Sequence, residues 1–99
     1  MKVKKIYISG KITDLDYLVA YSNFEKAEQV IKEMPNSYSV NPMKIEHIHD
    51  RTWENYMLED IKALFYCDAI YMLNNWGQSK GARIERAIAL EMGIEIIYE

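Results

Sequence analysis

Two periodicities alternate along the 99 residues. Lys4 to Ser9 (KKIYIS) alternates branched residues around Tyr7 and predicts a first strand, which meets Gly10 directly. After a polar loop in which Asp14 or Asp16 can cap a helix, Phe24, Ala27, Ile31 and Met34 recur three and four residues apart. That spacing predicts a helix from about Tyr17 to Met34, ended by Pro35-Asn36. Tyr38 to Asn41 is a short second strand stopped by Pro42. Thr52 can cap a second helix running to about Tyr66, with Trp53, Met57, Ile61 and Leu64 on one face. A fully apolar run, Ala69 to Leu73, reads as a buried strand. A turn rich in small residues then leads into a helix starting at Lys80 or Gly81, with Ile84, Ala87, Ile88 and Met92 as its inner face and Gly93 as its C′ residue. Ile94 to Tyr98 returns to the sheet. Strands alternating with helices make this an α/β chain, expected to form one domain over residues 1–99 with strand-like runs near both ends.

If the strands run parallel, Gly10, Asn41 and Asn74 all reach the same edge of the sheet, the edge at which open α/β sheets bind ligands. Gly10 serves either a tight turn or a close backbone approach to a ligand. Asp60 lies three residues after Met57 and four before Leu64, so a helical wheel turns its carboxylate toward the sheet. A buried carboxylate must be hydrogen-bonded, paired or open to a cleft, which leaves a structural role and a ligand or catalytic role both open. Glu85 is placed near the start of the last helix and at the border of its apolar face. There it is either an acid stabilised by the helix dipole or a reactive group. Together with Tyr7, Ser79 and Gly81, these residues form the polar inventory of one edge. Ser79 and the free N–H groups near Gly81 suit an anion such as a phosphate.

Composition narrows the classes. Fifteen acidic against twelve basic residues give a net charge of -3, with bases and acids interspersed, so no polymeric nucleic acid is expected as a partner. The apolar start is too short for a signal peptide or a membrane span, and a single cysteine, Cys67, suits a small buried side chain in a reducing cytoplasm. His47 and His49, with Glu46 and Asp50, show no metal-ligand spacing and read as solvated loop residues. Gly77-Gln78-Ser79-Lys80-Gly81 matches the order GxSxG, but both histidines precede the serine and none follows to complete a triad. P-loop and dinucleotide fingerprints are absent, so no cofactor and no metal are expected. A chain this short, carrying eight Tyr, two Trp and two Phe, is expected to form at least a homodimer.

The stretches Lys5-Ile6-Tyr7-Ile8-Ser9-Gly10, Asn41-Pro42, Asp60-Ile61, CDAIYML, SKGARIE and IEIIYE resemble the nucleoside 2-deoxyribosyltransferase-like superfamily, which includes the 2′-deoxynucleoside 5′-phosphate N-hydrolases. They are most similar to its small phage and bacterial members grouped as DUF4406. The resemblance covers nearly the whole chain and implies a three-layer, flavodoxin-like fold with a small, mainly parallel sheet of four strands. It also implies a glutamate that attacks the anomeric carbon of a deoxyribosyl group, in a deoxynucleoside or its monophosphate. That nucleophile falls at Glu85, with Ser79 at the position of the phosphate-binding serine, Asp60 at that of an orienting or protonating aspartate, and Tyr7 and Gly10 at the sugar and phosphate pocket.

Two positions depart from the pattern: Arg83 stands where the hydrolases have a second glycine, and Lys11 where a small residue is usual. Both add bulk and positive charge. They fit a more highly charged nucleotide, or a non-catalytic nucleotide binder; a structural or partner-binding role is the third reading. Trp76 can stack on a base or seal a subunit contact.

Overall fold

The computed structural model describes residues 2–46 and 52–99; His47, His49 and Asp50 lie outside the described residues. Four strands, β1 (Lys4–Ser9), β2 (Ser37–Val40), β3 (Ala69–Met72) and β4 (Glu95–Tyr98), alternate with three helices, α1 (Tyr17–Lys32), α2 (Trp53–Phe65) and α3 (Lys80–Met92). Among the described residues every strand pairing is parallel, and the spatial order is β2-β1-β3-β4. The chain steps outward from β1 to β2, then crosses back to β3 on the other side of β1. The crevice above the carboxyl ends of β1 and β3 is therefore the switch point at which such sheets bind ligands.

Strand alternation sends β1 into two cores. Ile6 and Ile8 pack with Phe24, Ala27 and Ile31 of α1 on one face. Tyr7 faces the other way, against Leu64 of α2 and Ala82 and Ala89 of α3. The result is a three-layer sandwich with helices on both sides. Fully burying side chains such as Phe24, Ile31 and Leu64 contributes about 1.5–3 kcal/mol each. β3 is buried throughout and β1 from Ile6 to Ser9, while β2 and β4 are part-exposed edges, which is why β3 is an unbroken apolar run.

The caps follow the sequence. The Asp16 carboxylate accepts from the N–H groups of Leu18 and Val19, Thr52 Oγ1 from Asn55 N, and Ser79 Oγ from Ala82 N. Gly93 takes the left-handed conformation at φ 71° that closes α3. Asp68 stays at the opposite end of the sheet from the crevice, accepting from Lys5 N.

Three expectations shift. α1 ends at Lys32, so Met34 packs against the core from beyond the helix, and Ala20 extends the buried stripe at its start. β2 is displaced by one residue, because Asn41 leaves the strand to cap a 3-10 turn over Pro42–Lys44 through its side chain. The most buried positions of α3 are Ala82, Glu85 and Ala89; Ile88 and Met92 pack half-buried against the same core as expected, while Ile84 and Ala87 are rotated toward the outer groove beside Phe65. Small residues let α3 lie close on the sheet, so its largest apolar side chains are not its most buried.

Candidate active site

A cavity of about 1160 Å³ opens over the carboxyl ends of the central strands. Its floor is built by β1, α2 and α3. Tyr7 and Ser9 are two residues apart on β1 and therefore point the same way, toward α3. The Tyr7 hydroxyl donates to Glu85 Oε2 at 2.8 Å, and the Ser9 hydroxyl donates to Glu85 Oε1 at 2.6 Å. Glu85 sits in the second turn of α3, five residues beyond Lys80, and is 5 % exposed. It is therefore not a first-turn acid: the helix dipole reading falls, and the sheet, not the helix terminus, holds its carboxylate.

Asp60 reaches the same cavity from α2 and is 8 % exposed. Its Oδ1 is buried with no hydrogen-bond partner among the described residues. Burial pushes its pKa up to about 8, with the nearby charge of Glu85 adding to the rise. Burial also raises Glu85, to about 7, against the opposing pull of the hydrogen bonds from Ser9 and Tyr7. Tyr7 is held well above its ordinary range by burial and by the Glu85 carboxylate beside it, so its phenol remains a donor. Two carboxyl groups in one cleft thus differ in kind. Asp60 lacks partners for its charged form and keeps a proton more readily, while Glu85 has two donors that favour the carboxylate.

The rim carries the binding groups. Ser79 lines the cavity and caps α3. Gly81 also lines it, where an added Cβ would come 3.0 Å from Met57 Sδ, so the glycine lets α2 and α3 meet at the cavity wall. Gly10 is required by close approach: a Cβ there would fall 2.4 Å from Leu73 Cδ1. Arg83 lines the rim with its Nη1 donating to Gly77 O at 2.8 Å, and Lys11 lines it with its backbone N–H donating to Asn75 Oδ1 at 2.9 Å. The two cationic residues flank the same turn. Lys80 lies over the Trp53 ring, 4.7 Å from its centroid. Tyr17, Pro42, Met43 and Tyr56 complete a largely apolar opposite wall.

Not every expected residue arrives. Asn74 is outside the cavity and exposed, its N–H donating to a Glu99 carboxylate oxygen, because the turn after β3 swings it toward β4. Asn75, half-buried and also outside the cavity lining, accepts the Lys11 backbone N–H through its Oδ1. Asn41 is buried beneath the cavity wall, its Oδ1 accepting from Met43 N and its Nδ2 without a partner among the described residues. It shapes the turn that carries Pro42 and Met43. Trp76 packs with Tyr98 and the Arg86 guanidinium away from the cavity. Sequence reasoning passes over Ser9; the available signal is its i+2 relation to Tyr7, which places both hydroxyls on one face of β1.

Among the described residues no three His, Cys, Asp or Glu side chains gather as metal ligands, and no helix is long and apolar enough to cross a membrane. A family model described as "Domain of unknown function (DUF4406)" matches residues 4–98. The chain belongs to the DUF4406 family. Two solved structures share the fold of this DUF4406 chain. One is a 2-desoxiribosyltransferase from Leishmania mexicana, with a TM-score of 0.67 and 22% identity over 96% of this chain. The other is a conserved protein from Enterococcus faecalis V583, with a TM-score of 0.69 and 20% identity over 97%. The DUF4406 chain spans 63% and 62% of those two chains. No curated protein sequence matches it. The nucleoside deoxyribosyltransferase-like fold expected from the sequence is thus the fold observed.

Proposed function

We propose that this protein cleaves the N-glycosidic bond of a deoxynucleoside or deoxynucleoside 5′-monophosphate through a covalent glycosyl-Glu85 intermediate. The observation that carries the reading is the buried Glu85 carboxylate held by Tyr7 and Ser9 in a cavity it shares with a second, more proton-retentive carboxyl, Asp60. A Glu85 oxygen attacks the anomeric carbon as the bond to the base nitrogen breaks and its electron pair leaves with the base. Asp60 delivers its proton to that base. Water, or a second base, then displaces Glu85 from the anomeric carbon while Asp60 takes back a proton. Ser79, Lys11 and Arg83 supply donors and positive charge for a phosphate at the rim, and the aromatic wall of Trp53, Tyr17 and Tyr56 suits a base. The fold shared with the 2-desoxiribosyltransferase from Leishmania mexicana supports a reaction of this class.

Lys11 and Arg83 also favour a second reading, a nucleotide binder without turnover. One experiment separates the two. A panel of nucleosides and nucleoside monophosphates, incubated with the wild type and with Glu85→Gln and resolved by chromatography, is expected to show released base only with the wild type. Equal release by both proteins overturns the glycosidase reading. Calorimetric binding of a monophosphate without release by either protein establishes the binder.

A further inference from the structure

Ser9 is only 1 % exposed, at the carboxyl end of the central strand, where neighbouring positions of the sheet are apolar. A hydroxyl there must find a partner, and the one it has is Glu85 Oε1 at 2.6 Å. Its own carbonyl is already committed to the sheet, accepting from Leu73 N. The Tyr7 hydroxyl takes the other carboxylate oxygen from one pleat below. A carboxylate with a donor on each oxygen cannot rotate about its terminal bond without breaking both hydrogen bonds. Each oxygen keeps a further lone pair that neither donor uses. Glu85 also approaches from a helix, whereas both donors stand on one strand, so the β1–α3 contact itself sets the direction of the carboxylate.

We propose, on the reading of Glu85 as nucleophile, that Ser9 is a positioning residue: its hydroxyl and that of Tyr7 form a two-point clamp that fixes the Glu85 carboxylate, ionised, toward the cavity. The division of labour is unequal. Tyr7 also lines the cavity and can meet a ligand, whereas Ser9 lies behind it and acts only through Glu85. Alanine at this position leaves Oε1 buried and without its donor, which disfavours the charged form and frees the carboxylate to turn about the single remaining bond to Tyr7.

The test reads Glu85 directly, by carbon-13 NMR titration of labelled glutamate side chains, the signal being assigned by its loss in Glu85→Gln. In Ser9→Ala the Glu85 midpoint is expected to rise by about one pH unit, with the acid limb of kcat/KM for base release moving by the same amount and KM little changed. Ser9→Cys keeps the bulk with a weaker donor and falls between the two, which covers the case in which Ser9→Ala does not fold. A folded Ser9 variant whose Glu85 midpoint stays at the wild-type value overturns the clamp. A shifted midpoint in a protein whose wild type releases no base supports the clamp and overturns the glycosidase reading alone.

Discussion

Asp60→Asn offers the sharpest check on the electrostatics of this cavity, because it removes a charge while keeping shape. Asp60 shifts from 3.8 to about 8 in the folded protein, chiefly through burial. Its folded pKa is raised, so the folded state holds a proton that the unfolded chain has lost across that window. Stability is then fully present below the unfolded pKa and falls as pH rises, at about 1.4 kcal/mol per pH unit, until the folded group itself ionises. Four units set a ceiling on the order of 5 kcal/mol, a large part of the 5–15 kcal/mol that holds a typical domain together. Glu85, raised from 4.5 to about 7, slopes the same way, and Asp68, which is lowered, slopes the opposite way; both are present in wild type and variant. The difference between the two proteins therefore isolates Asp60 together with its repulsion on Glu85. Urea unfolding followed by circular dichroism at intervals from pH 4 to pH 9 should show wild type and variant diverging steadily, with Asp60→Asn the more stable by several kcal/mol at pH 9. Parallel curves, or a wild type that gains on the variant as pH rises, would refute the placement of this carboxyl in a poorly solvated site.

Other expectations follow from single contacts. Gly10→Ala drives a methyl into Leu73 and should cost about 1–3 kcal/mol in thermal or urea unfolding; an unchanged transition would show that β3 can shift away. Ser79→Ala removes the α3 cap and should lower stability by about 1 kcal/mol, while weakening calorimetric binding of a nucleoside monophosphate more than that of the unphosphorylated nucleoside. The chain is expected to self-associate, since Phe65 at 58 % exposure and Leu58 at 67 % leave the outer side of α2 apolar beside Ile84, Ala87 and Ile88 of α3; light scattering that returns a monomer mass at micromolar concentration would contradict this.

Residue pattern alone determined the element order, the α/β class and the inward turn of Asp60. Those are local facts: a period of two or three to four residues, a capping side chain and the spacing from Met57 to Leu64 decide them without reference to anything distant in the chain. Resemblance of the motifs further indicated the superfamily fold and pointed to Glu85. What the pattern misplaced depends on contacts across the fold. Of Ile84, Ala87, Ile88 and Met92, which the pattern gives α3 as its inner face, Ile88 and Met92 do pack half-buried against the core, but Ala82 and Ala89 are the buried positions and Ile84 lines the outer groove, because helix-to-sheet distance rewards small side chains there. Asn74 and Asn75 are equivalent on paper, and only the path of the turn after β3 decides that one meets Glu99 and the other Lys11. Ser9 and Glu85 lie 76 positions apart, and no local period relates them. Their bond exists because parallel pairing sets Ser9 beside Met72 and lays α3 across that strand end, so the chemistry of the site was written in the sequence as residue types but assembled by the tertiary fold.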